Sequence, residues 1–138
     1  MIIIDILVLS ALLYCAVADY SKGIIPDKAH LILLVLGVFR CAFFNANFLF
    51  ALIAALGFGT LFLIVGLATN SIGGGDIKLI YSLTFAQGIE NTFAAILIAL
   101  FTFALCAILK GKPRKCEMCF APFILVGQVS VFALKNLL

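Results

Sequence analysis

The sequence predicts an all-α membrane protein, a bundle of six transmembrane helices with a short fourth helix. Two observations predict it. The 138 residues are 66% hydrophobic and only 11% charged, with a mean hydropathy of +1.33, too little polar material to cover a soluble domain of this size. The apolar residues also fall into six runs separated by short turns. No linker is long or polar enough to separate two domains, so residues 1–138 read as one membrane-embedded domain.

The first run, Ile2–Ala18, is apolar and just long enough to span a bilayer. Ala16-Val17-Ala18 imitates a signal cleavage site, but Asp5 stands where a basic n-region belongs, so the segment reads as a retained helix. It stops at Asp19-Tyr20-Ser21-Lys22-Gly23. Pro26 ends helical structure before it, and Asp27 stands as the N-cap of a second helix over Lys28–Phe44. Asn45-Ala46-Asn47 is a turn, and Phe48–Thr69 is the clearest full-length span. Within Ser71–Ile80, Gly73, Gly74 and Gly75 deliver Asp76 to a shorter apolar piece, Asp76–Gln87. Glycine suits a backbone that turns sharply or lets another chain approach closely. Gly88-Ile89-Glu90-Asn91 reads as a turn, Thr92–Leu109 as the fifth helix, Lys110–Cys119 as a basic loop and Phe120–Leu138 as the sixth helix.

The fourth segment rises only roughly 20 Å against a hydrocarbon core of about 30 Å. Charge decides whether it crosses. With six crossings, Lys22, Lys28, Lys78, Lys110, Lys112, Arg114 and Lys115 share one side, and Arg40 and Lys135 lie opposite. Without the fourth crossing the split becomes four against five. The positive-inside rule favours six crossings with the N-terminus outside. The same basic residues sit in short loops rather than along a stripe, which excludes a nucleic-acid surface. Asp19, Asp27 and Asp76, three of the four aspartates, then meet at the cytoplasmic face.

An ionisable residue in so apolar a chain is a functional candidate. Two carboxylates that share a site cannot both ionise, so one keeps its proton. The ionised partner takes a proton from water while the protonated one polarises a carbonyl, and that pairing hydrolyses amides with neither metal nor cofactor. Asp19 and Asp76 are the candidates. Asp76 opens a helix, where the macrodipole favours negative charge, and Asp19 closes one. This assigns the base to Asp76 and the shared proton to Asp19. The alternative is that Asp76 only caps the fourth helix and Asp19 only marks a membrane boundary. Lys78, two residues after Asp76, lies on another helix face and reads as a topology signal or substrate contact. His30 is a lone polar residue at a helix start. Cys15, Cys41 and Cys106 lie in apolar runs as small hydrophobes. Cys116 and Cys119 form one CxxC, half a zinc site, in a reducing compartment, leaving incidental spacing, redox sensing or a shared metal open.

Three stretches resemble the type IV prepilin leader peptidases, bacterial GxGD membrane aspartyl proteases. They are Asp19-Tyr-Ser-Lys-Gly-Ile-Ile-Pro26, Gly73-Gly-Gly-Asp-Ile-Lys-Leu79 and Phe120-Ala-Pro-Phe123. The resemblance implies that Asp19 and Asp76 are the catalytic pair, and it marks Gly73, Gly74, Gly75, Lys78 and Asp27 as loop and substrate-contact candidates. It implies a prepilin or pseudopilin substrate, whose basic leader is cut at the cytoplasmic face of the bacterial inner membrane. It leaves room for pilus assembly machinery as a partner. Where the family pattern has Asn after Ile-Pro, this chain has Asp27. The larger members carry an N-terminal extension with paired CxxC motifs that accompanies N-methylation. This chain starts at the first core helix and resembles the short, peptidase-only members of tight-adherence systems, so methyltransferase activity is not expected. Two other readings remain: a small proton or cation transporter, and a non-catalytic assembly factor that binds the pilin helix.

Overall fold

The computed structural model of the protein describes residues 2–44, 47–69, 73–110 and 120–137. Among them are six α-helices and no strand: α1 (Ile2–Lys22), α2 (Asp27–Phe43), α3 (Phe48–Thr69), α4 (Gly74–Gln87), α5 (Ile89–Lys110) and α6 (Ala121–Leu137). Helices α1, α3 and α5 are long and apolar enough to cross a membrane. Helices α2 and α6 have 17 residues each and α4 has 14, shorter than those three.

Burial shows which solvent the fold is built for. Large apolar side chains face outward, among them Ile3, Val17, Ile53, Leu67, Phe101 and Ile108. Polar side chains turn inward, including Asp19, His30, Gln87, Thr92 and Gln128. Water would penalise both choices, whereas a hydrocarbon surround accepts apolar faces and drives polar groups inside. The chain is a membrane protein.

Helix α4 is the enclosed one. It packs against α2, α3, α5 and α1, and every side chain from Ser82 to Gln87 is buried. Its hydroxyls do not lack partners, because Ser82 Oγ donates to the Lys78 carbonyl at 3.0 Å and Thr84 Oγ1 to the Ile80 carbonyl at 2.7 Å. The central core joins Val8 and Leu12 of α1, Leu33 of α2, Leu79 and Leu83 of α4 and Ile124 of α6. Helix α3 lies to one side and meets Phe85 of α4 through Ala51 and Ala55.

Several boundaries differ from the sequence expectation. Helix α1 continues one turn further, through Asp19 to Lys22, because none of these residues breaks a helix. Gly23 then ends it, taking the left-handed conformation (φ 64°) and donating its N–H to the Asp19 carbonyl at 2.8 Å. Asp27 is not an N-cap. Pro26 holds that position with φ −70° and ψ 135°, and no side-chain capping bond forms there. The expected turn before α5 shrinks to Gly88, so Ile89, Glu90 and Asn91 join the helix. The basic loop with Lys112, Arg114, Lys115, Cys116 and Cys119 lies outside the described residues, as do Asn45, Ala46, Ser71 and Ile72.

The α5–α6 crossing depends on one glycine. A Cβ at Gly127 would collide with the backbone carbonyl of Ala95, so only a hydrogen there lets the helices approach. Gly127→Leu should therefore force them apart and cost about 1–3 kcal/mol, whereas Val129→Leu, on the exposed face of α6, should cost little. Thermal unfolding of the two variants in detergent micelles distinguishes them, and equal midpoints would contradict the crossing.

Candidate active site

The ends of three helices come together at one end of the bundle. Asp19 sits in the last turn of α1 and is 7% exposed. Its Oδ2 accepts the backbone N–H of Ala121, the first residue of α6, at 3.3 Å. Asp76 sits in the first turn of α4, before the apolar stretch that starts at Ile77, and is half-buried. The charge of Asp19 is close enough to act on it. The two aspartates, 57 positions apart in sequence, are thus neighbours in space.

Their environments differ. Asp76 lies within reach of the Asp19 charge and beside the backbone of Gly73. Asp19, in contrast, sits against the N-terminus of α6.

The glycines do something other than turn sharply. Gly73 is the N-cap of α4 with φ −67° and ψ 145°, an ordinary extended conformation, and Gly74 and Gly75 are helical. A Cβ at Gly74 would meet nothing, one at Gly75 would make ordinary contact with Ile25, and one at Gly73 would lie 3.3 Å from Asp76 Oδ2. The missing side chain beside the Asp76 carboxylate is that of Gly73, and Gly74 faces open space.

Asp27 and Lys78, both exposed, form an ion pair at 3.2 Å between α2 and α4. Below it, His30 Nδ1 lies 3.4 Å from Ser82 Oγ, while His30 Nε2 is buried without a hydrogen-bond partner. Among the described residues no group of three or more His, Cys, Asp or Glu side chains gathers as a metal site. Sequence reasoning missed the Ala121 donor. The signal was present in Phe120-Ala-Pro-Phe123. Pro122 has no N–H, and the N–H groups of Phe123 and Ile124 donate to the Phe120 carbonyl at 3.0 and 3.2 Å. Only the Ala121 N–H of this first turn is directed to another element.

At the opposite end lies a second polar cluster. Gln128 donates to Gln87 Oε1, and Gln87 donates to Asp5 Oδ1 at 3.3 Å. Arg40 Nη1 donates to the Ala86 carbonyl at 3.3 Å. These bonds tie α1, α2, α4 and α6 together far from the aspartates.

A model of the type IV leader peptidase family matches residues 6–108, which covers α1 to α5 up to Ile108 and both aspartates. The Phe-Ala-Pro-Phe stretch lies beyond the matched residues. No curated protein and no solved structure matches the chain.

One outcome follows from the electrostatics. The Asp27–Lys78 pair is exposed and should contribute no more than about 1 kcal/mol, so Asp27→Asn should leave thermal stability nearly unchanged.

Proposed function

The chain belongs to the type IV leader peptidase family, and from that premise we propose that it is a membrane aspartic endopeptidase that removes the leader from prepilin-like proteins. The observation that carries this reading is the convergence of Asp19 and Asp76 at one end of the bundle.

The pair divides the chemistry of amide hydrolysis as follows. Asp19, ionised against the Ala121 N–H, takes a proton from water as the water oxygen bonds to the scissile carbonyl carbon. Asp76, protonated, gives its proton to the carbonyl oxygen, and a tetrahedral diol forms. Asp76 takes that proton back as the carbonyl re-forms and the C–N bond breaks. The leaving nitrogen receives the proton held by Asp19. The products are a leader with a new carboxyl end and a pilin with a new amino end. Both aspartates return to their starting states, and no covalent intermediate is formed.

The space beside Gly73, Gly74 and Gly75 suits an extended peptide lying along the first turn of α4, with Lys78 and Asp27 at its edge. We place the chain in the bacterial cytoplasmic membrane as one domain over residues 1–138. All six helices cross, the N-terminus is outside and the aspartates are at the cytoplasmic face. The positive-inside count supports this topology. The short α4 can cross because it is enclosed by the other helices rather than by lipid. The substrate's apolar helix stays in the bilayer while its basic leader reaches the site. Pilus assembly components are the proteins that would receive the product. A transporter would need ionisable groups along the membrane depth, and the aspartates of the pair sit together at one end.

Co-expression with a tagged prepilin from the same genome tests the reading by mobility shift and N-terminal sequencing. Leader removal should occur in the parent and fall by at least about 10³-fold in Asp19→Asn and in Asp76→Asn, with membrane insertion kept in both. Full cleavage by either variant would remove the pair from the chemistry.

A further inference from the structure

Helices α2 and α3 follow one another in the chain, four residues apart, yet each packs against α4 far more than against the other. Between them lies a groove of about 640 Å³, within the roughly 300–1,000 Å³ of ordinary binding clefts. Val35 and Phe39 of α2 and Leu52 and Leu56 of α3 line it, with Tyr81 and Phe85 of α4. Two glycines seat those rings. A Cβ at Gly37 of α2 would collide with the Phe85 ring, and one at Gly59 of α3 with the Tyr81 ring, so each ring lies directly against a neighbouring backbone. The groove is therefore a product of how α2, α3 and α4 fit together.

Its position relates it to the aspartates. On α2 the lining runs from Leu31, one turn past Asp27, to Phe43 at the opposite end of the helix. Those twelve positions rise roughly 18 Å, about three turns of a helix laid alongside. On α4 the lining begins with Tyr81, five positions and roughly 7 Å along the axis from Asp76. The groove thus continues from the candidate site into the depth of the bilayer on the same helix that carries Asp76. Its lining is apolar except for the Tyr81 hydroxyl, which makes no hydrogen bond among the described residues. A hydrocarbon tail gives that hydroxyl no partner, whereas a peptide helix can offer one from its side chains.

We propose that this groove is the dock for the apolar helix of the prepilin-like substrate, which lies between α2 and α3 along α4 while the bond to be cut reaches Asp19 and Asp76. The inference rests on the reading of the chain as a leader peptidase and names where that enzyme holds its substrate. An apolar helix in such a groove is held by side chains spaced three and four positions apart, and the walls supplied by Val35, Phe39, Leu52 and Leu56 suit that contact.

Site-specific photocrosslinking in membranes tests it. A benzoylphenylalanine placed at Val35 or at Leu52 of the full-length Asp76→Asn variant, co-expressed with the prepilin, should crosslink to the prepilin at residues of its apolar helix, located by mass spectrometry. The same probe at Phe101, on the outward face of α5 and 70% exposed, should not. Crosslinks from the groove to lipid alone or to a second copy of the chain, or equal yields from Phe101, would overturn the proposal. Kinetics give a second readout in the otherwise unaltered protein. Val35→Trp, which fills the groove, should lower kcat/KM for the prepilin by about tenfold through KM with kcat kept, whereas Phe101→Trp should match the parent. A loss confined to kcat, or no loss, would also overturn it. Leader removal by the parent without groove crosslinks removes the dock and leaves the protease reading intact. Groove crosslinks with no leader removal by the parent keep the dock and remove the protease reading.

Discussion

A carboxyl group held inside an apolar bundle is the constraint on which the rest of this structure depends. A buried polar group is costly unless it is hydrogen-bonded, so Asp19 is stable in its position only if something polar meets it. Its side chain faces the interior because α1 runs one turn past the end of its apolar run, and Gly23 stops the helix only after Asp19 has been carried inside. The first N–H of α6 is one of the groups that meet it. The end of α1 and the start of α6 are therefore joined by a polar contact as well as by packing.

Much of this was legible in the sequence, and the parts that were not share a cause. The six helices and the grouping of Asp19, Asp27 and Asp76 at one end follow from hydrophobic runs and alternating direction, which are local properties of the chain. The contact of Asp19 with α6 was not legible, because that helix starts more than a hundred residues later in the chain. Asp27 failed as a predicted cap for a similar reason. Lys78 of α4 takes its carboxylate, and Pro26, with φ already fixed, fills the capping position. The glycines were read for backbone freedom, yet their dihedrals are ordinary and their effect is the room they leave.

The two ends of the bundle answer different demands. At the end away from the aspartates, side-chain amides, a guanidinium and a carboxylate link α1, α2, α4 and α6 in hydrogen bonds. Polar bonds shielded from water are costly to break because the freed groups find no replacement partner. That end is the anchor. At the aspartate end Ala121 of α6 donates to Asp19 of α1, and an exposed ion pair joins α2 to α4. The polar residues buried in this lipid-facing fold thus divide by position: those at one end link the helices in side-chain hydrogen bonds, and those at the other bring two carboxyl groups from distant parts of the chain together.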